Sequence, residues 1–292
     1  MELKPNKTFS PNQVARCLGV SEASIKRWCD KGILAFTKTA GGHRRIPVHV
    51  VLDFVRENDF TLAQPEMLEL PPSVGAGSRT LDQACRLFGQ ALEQGDDSRC
   101  LQLTLDLRLA GRDMAVIGDR VIAPAFQALG QRWEHGEAEV YQERRGVEIT
   151  RHVLSRLKDT LAPPAPAAPT AIGATLPGDP YSLPGQLCEL VLLEQGWQAR
   201  FLGSELPMET VARAVQDLGP RMLWLSVSVA EVPEDFVRDY GQLYETCRQQ
   251  RCAVAIGGRA LTGSLRQRLQ YASYGDNLRH VQSFAQSLYM PK

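Results

Sequence analysis

Five times between residues 170 and 290, a short apolar run is followed by a stretch with helical spacing. The apolar runs lie at about 170 to 176, 198 to 203, 222 to 228, 252 to 258 and 271 to 275. The helical stretches lie near 184 to 196, 207 to 218, 233 to 249, 260 to 270 and 277 to 289. Such alternation requires crossover connections, which lay the strands parallel with helices on both faces. The C-terminal part is therefore expected to be a doubly wound parallel sheet. Ligands of such sheets sit beyond the carboxyl ends of the strands, here Pro177 to Gly185, Ser226 to Ser228 and Gly257-Gly258. Neither GxGxxG after the first strand nor GxxxxGK before Ser or Thr occurs, so nucleotide readings lack their phosphate cradle.

A chain of 292 residues is too long for one ordinary core. Residues 61 to 79 and the Pro/Ala stretch 161 to 170 read as linkers, leaving pieces at 1 to 60, 80 to 160 and 171 to 292. No run of about 18 apolar residues is present, so a membrane span is not expected. The opening Glu2, Lys4 and Lys7 do not form a secretory signal, which points to the cytoplasm and to reduced thiols. The seven cysteines contain no CxxC pair and read as small hydrophobes, neither disulfide framework nor metal site.

The first piece has clear helix punctuation. Ser10-Pro11-Asn12-Gln13 is a capping box with proline at the first helical position, Gly19 ends that helix, and Ser21 caps a second carrying Ile25 and Trp28. Ile33 to Thr39 and His43 to Ile46, joined through Ala40-Gly41-Gly42, read as a β-hairpin, and Pro47 opens a third helix. Two helices, a wing and a third helix make a winged helix-turn-helix. Residues 1 to 60 hold ten Lys/Arg against six Asp/Glu, whereas the rest of the chain holds 23 against 27. A basic head on an acidic body suggests that the head meets an anion. Ser24, Lys26, Arg27, Lys38, Thr39, Gly42, His43, Arg44 and Arg45 are the candidate contacts to double-stranded DNA. Trp28 shares a face with Ile25 and reads as core.

The second piece reads as a four-helix bundle. Thr80-Leu81-Asp82-Gln83 is a second capping box, and further helices are expected at 97 to 110, 113 to 133 and 137 to 160. Val140, Val147, Leu154 and Leu161 recur every seven residues, and Arg144 falls on the same stripe. A guanidinium buried there needs a partner, either a carboxylate such as Glu143 or Asp179 or an anionic ligand.

The segment VARCLGVSEASIKRWCDKGIL followed by GGHRRI resembles the DNA-binding domain of the MerR superfamily. The bundle and the Rossmann-like domain after it resemble the cobalamin-binding module shared by methionine synthases and by light-sensing MerR-type repressors of carotenoid genes. The residues that carry this likeness are Trp133 with Glu143 ten positions on, LPGDPYSLPG, GWQARFLGSELP, LWLSVSV and IGG. The resemblance implies two cobalt-ligating histidines, one after the first strand and one directly after the bundle glutamate. Here those positions hold Tyr181 and Arg144, while the acidic partner Asp179 is present. Arginine has no lone pair to give. Ionising an ordinary phenol for coordination would cost about 4 kcal/mol at neutral pH.

The expected protein is thus a cytoplasmic, DNA-binding transcriptional repressor, self-associating, without enzymatic activity and without a cobalt-ligand photoswitch. Its expected sensor residues are Trp133, Glu143, Arg144, Asp179, Tyr181, Ser226, Ser228, Gly257 and Gly258. Trp133 and Tyr181 each read equally well as ligand contact and as packing. Cobalamin held without protein ligation, another tetrapyrrole-like ligand such as a bilin or haem, or a regulatory protein remain open as the signal. A cobalamin-dependent methyltransferase or mutase module is the rival of another class, and it would need a further substrate-activating domain.

Overall fold

In the computed structural model, the described residues are 7 to 75, 77, 79 to 134, 139 to 229 and 235 to 289, with the side chains of 133, 134 and 140 outside that set. Contacts divide the chain into two compact units, one of residues 1 to 113 with 120 to 162, the other of 114 to 119 with 163 to 292.

The first unit begins with the head. Strand β1 (Thr8–Phe9) leads into helices α1 (Pro11–Leu18) and α2 (Glu22–Asp30), then strands β2 (Thr37–Lys38) and β3 (Arg44–Pro47), then helix α3 (Val48–Glu57). The capping box forms as expected, Ser10 accepting from the Gln13 amide while Gln13 accepts from the Ser10 amide. Gly19 terminates α1 at φ 66°, a left-handed value that glycine reaches without strain. The three strands pair antiparallel in the order β1-β3-β2. Val14, Ile25, Leu34, Ile46 and Val51 are fully buried in the head. Trp28 is half-buried and packs on Phe54 and Phe60 at centroid distances of 5.0 and 5.8 Å, at the margin of the head's core.

Within the stretch read as a linker at 61 to 79, residues 63 to 75 and Arg79 are held by the first unit. The Ala63 amide donates to the Cys17 carbonyl at 2.7 Å, a 3-10 turn spans Pro65–Leu68, and Leu68, Leu70 and Val74 are buried. Gln102 donates to the Ser73 carbonyl at 2.8 Å, and Asp106 accepts from the Gly75 amide at 2.8 Å and pairs with Arg79. The composition is that of a linker, yet Leu68, Leu70 and Val74 have apolar surface to cover and its polar backbone finds partners.

Helices α4 (Leu81–Gln94) and α5 (Asp97–Leu109) follow. Helices α7 (Ala123–Glu134) and α8 (Val140–Lys158) complete the first unit, whereas α6 (Met114–Ile117) and the start of the π turn at Gly118–Ile122 are counted with the second. The buried face of α8 is Gly146, Thr150, Val153, Leu154 and Leu157. Arg144 is exposed, which corrects the expectation that it points at the core. It lies two residues from Gly146, about 200° around the helix, so the seven-residue reading placed the apolar stripe off its true centre.

In the second unit, strands β4 (Thr170–Thr175), β5 (Gln198–Gly203), β6 (Met222–Ser226), β7 (Ala253–Gly257) and β8 (Ser273–Gly275) alternate with helices α9 (Ser182–Glu194), α10 (Met208–Leu218), α11 (Phe236–Gln249), α12 (Gly263–Arg266) and α13 (Leu278–Leu288). All strand pairs are parallel, in the order β5-β4-β6-β7-β8. Ile172, Ala174, Leu223, Leu225, Val254 and Ile256 bury one sheet face with residues of α10 and α11. On the other, α9 packs on β4, β5 and β6 and against α13.

Two boundaries differ from the sequence reading. Strand β6 ends at Ser226 because the Ser228 amide is taken by a side chain, that of Asp179. The expected helix over 260 to 270 is a single turn, since the Ala260 amide bonds the Val227 carbonyl and Thr262 starts the helix only after it. Among the described residues, no helix is long and apolar enough to cross a membrane.

The Asp106 carboxylate is 4% exposed, and burial pushes its pKa above the usual carboxylate range despite Arg79. Asp106→Ala leaves the Gly75 amide and Arg79 without their acceptor and should lower stability by about 2 to 3 kcal/mol, read as an earlier denaturant midpoint with an unchanged slope.

Candidate functional site

The head presents its cations from two places. On α2, Lys26 and Arg27 are exposed, Lys26 forming a 2.8 Å pair with Glu22 one turn earlier. Ser24 is half-buried and its hydroxyl lies 3.0 Å from that of the capping Ser21. On the wing, the His43 amide donates to the Thr39 hydroxyl at 3.2 Å, and Gly42 turns the chain at φ 79°, donating to the Thr39 carbonyl at 2.8 Å. This closed turn leaves Lys38 and His43 exposed, with Arg45 half-buried. Arg44 is engaged inside the head. Its guanidinium pairs with Asp30 at 2.5 Å and lies 5.3 Å from the Phe36 ring centroid, which ties the wing to the end of α2.

The second candidate site is the carboxyl edge of the parallel sheet. Chain order reverses between β4 and β6, so the switch point of the sheet lies between them. Asp179 stands there, 3% exposed, in the loop after β4. One carboxylate oxygen accepts from the Tyr181 amide at 3.1 Å and the other from the Ser228 amide at 2.6 Å. Desolvation raises its pKa, and these two bonds oppose that shift. The neighbouring loops are laced to it. Thr175 donates its hydroxyl to the Asp179 carbonyl and accepts from the Glu205 amide at 2.9 Å. Ser226 and Ser228 hydroxyls lie 3.4 Å apart.

Tyr181 is 41% exposed, and the Arg259 guanidinium lies 5.3 Å from its ring centroid while donating to the Ser228 carbonyl at 3.2 Å. Gly258 adopts φ 118°, and a Cβ there would stand 2.2 Å from the Val227 carbonyl oxygen, so only glycine lets these two loops approach so closely. Asp179, Tyr181, Ser226, Ser228, Gly257 and Gly258 therefore share one edge. Of the bundle candidates, Glu143 is half-buried and Arg144 exposed on α8, and Trp133 has its side chain outside the described residues. Sequence reasoning missed Arg259, although it directly follows Gly257-Gly258.

Beneath this edge, two aromatic rings fill the space between sheet and α9. Gly173 in β4 is in register with Phe201 of β5 on one side and Trp224 of β6 on the other. A Cβ on Gly173 would fall 1.8 Å from the Trp224 indole, and one on Gly185, in the first turn of α9, would fall 2.2 Å from the Phe201 ring. Trp224 is 2% exposed and donates its Nε1–H to the Gly185 carbonyl at 3.2 Å. Two missing side chains make room for two large ones. Nothing in their spacing along the chain signals it, because the four residues come from four different elements.

Residues 8–59 match the helix-turn-helix domain family and residues 85–158 the B12 binding domain family. The chain is 27% identical over 248 residues to the HTH-type transcriptional repressor CarH of Myxococcus xanthus, an alignment covering 79% of this chain and 82% of that one. It is 23% identical over 261 residues to the HTH-type transcriptional repressor CarA of the same organism, covering 86% of each. The monomethylamine corrinoid protein of Methanosarcina barkeri shares the fold over 72% of this chain and 100% of its own, with a TM-score of 0.58 at 15% identity.

Gly173→Ala should cost at least about 2 kcal/mol by overpacking against Trp224, whereas Gly178→Ala, where an added Cβ meets nothing within 4 Å, costs only the strain of its left-handed φ of 79°, about 1 kcal/mol. Equal thermal stabilities of the two variants would contradict the packing described. Across both matched regions, the chain is similar to helix-turn-helix regulators that carry a cobalamin-binding-like module.

Proposed function

We propose that this protein is a DNA-binding transcriptional regulator, a repressor acting in the cytoplasm, whose winged head is governed by the C-terminal module. The observation that carries the reading is the pairing of an exposed basic helix, α2, with a closed, exposed basic wing in one folded head. Lys26 and Arg27 enter the major groove from α2. Lys38, Thr39, His43 and Arg45 meet the sugar-phosphate backbone or minor groove from the wing. Arg44 braces the wing through Asp30 and Phe36.

One winged unit buries little DNA, so two or more chains bind together on repeated half-sites. The likeness to two proteins named as repressors supports regulation over catalysis. In this reading the module senses its signal without histidine ligation of cobalt, since Tyr181 and Arg144 stand where the family resemblance implies those ligands. A flat ligand such as a bilin or haem, or a regulatory protein, is the alternative signal.

Lys38→Ala combined with Arg45→Ala should weaken duplex binding by about 1 to 3 kcal/mol and reduce the slope of log affinity against log salt by about 2. Anisotropy titrations at several salt concentrations measure both, and at saturation should show at least two chains per duplex. An unchanged affinity and slope would remove the wing from the interface.

A further inference from the structure

We infer that the switch-point crevice of the parallel sheet is occupied by the protein's own Trp224 and Phe201, and that the module does not take the nucleotide tail of a cobalamin into its core. Residues 85–158 match the B12 binding domain family, and the residues of the sheet domain that follows do not fit the tail of such a ligand.

A ligand arm entering at the switch point and running down the sheet under α9 needs volume beside β4. Gly173 leaves that volume open by having no side chain, yet the Trp224 indole lies across it, buried and bonded from Nε1 to the Gly185 carbonyl. Phe201 fills the flank against Gly185 in the same way. The indole is a flat heteroaromatic group in the position that an inserted ring would need, and its one polar atom is satisfied there. Displacing it would expose a buried indole and leave the Gly185 carbonyl without its donor.

The entrance is closed by separate interactions. Both oxygens of Asp179 are used by backbone amides of two loops, Arg259 bonds the Ser228 carbonyl and stacks over Tyr181, and the Ala260 amide holds the Val227 carbonyl at 3.1 Å. An arm could enter only by breaking several of these at once. Any flat ligand of this module is therefore held from outside the strand ends, by its face or rim, and gains nothing from a tail.

The test compares adenosylcobalamin with adenosylcobinamide, which carries the same corrin and adenosyl group without the nucleotide tail. Full-length protein is titrated with each in the dark, by equilibrium dialysis read in absorbance. The wild type should bind neither, or bind both with affinities within about tenfold of each other. Tighter binding of the cobalamin by more than about tenfold would overturn the inference.

In Trp224→Gly the emptied slot should admit a planar ring. Free 5,6-dimethylbenzimidazole should raise the thermal midpoint of that variant saturably and leave the wild type unchanged. A folded variant whose midpoint does not rise would mean that Trp224 is not what fills the crevice, and would overturn the inference equally. If the variant does not fold, the wild-type comparison decides alone. Duplex binding by the same wild-type sample reports separately on the regulator reading, since the head lies in the other compact unit.

Discussion

The packing of Trp224 across Gly173 organises the C-terminal domain. A tryptophan side chain buries 150 to 250 Å² or so and dominates whatever core it enters, so its placement in β6 dictates what its neighbours can be. Gly173 beside it must lack a side chain, Gly185 above must offer a bare carbonyl within reach, and α9 must begin where that carbonyl faces the sheet. With those conditions met, β4, β6 and α9 are fixed relative to one another at the switch point. The loops that leave the strands are then close enough to be laced by Asp179, Thr175 and Arg259.

The two compact units use buried polar groups in the same manner. Asp106 gathers the 61 to 79 segment onto the bundle through the Gly75 amide and Arg79, and Asp179 gathers the strand-end loops through two amides. Each is a carboxylate with a donor on both oxygens, an amide and a guanidinium for Asp106 and two amides for Asp179, and for both burial raises the pKa while hydrogen bonds oppose it. A buried acceptor satisfied this way specifies one loop geometry, because the alternatives leave it unpaired. The function proposed for the edge needs that definition: a signal held outside the strand ends acts on an ordered surface.

Much of the architecture was legible in the sequence, because it rests on local rules. Ser10, Gln13, Thr80 and Gln83 form their capping boxes, Gly19 ends its helix in the left-handed region, and the strands of the second unit fall within a few residues of their apolar runs. What escaped depended on contacts between distant segments. Arg144 was assigned to the core from a seven-residue recurrence, whereas the helix buries the face of Gly146, Thr150 and Val153. The wing arginines look alike in sequence, and only the fold shows Asp30 and Phe36 claiming Arg44. Trp224 reads as one more apolar residue of a strand until Gly173 and Gly185 are seen to surround it. The edge residues were found together because strand ends are marked by small residues and turns, a signal that survives in one dimension.

The crevice is filled by the protein's own indole. The most direct measurement is hydrogen exchange of the Trp224 Nε1–H by NMR of the full-length protein labelled at tryptophan, assigned with Trp224→Phe. A buried, bonded indole proton should exchange orders of magnitude more slowly than an exposed one and keep its rate and chemical shift when adenosylcobalamin is added. Rapid exchange in the free protein, or a shift of that resonance on adding the corrinoid, would contradict the account.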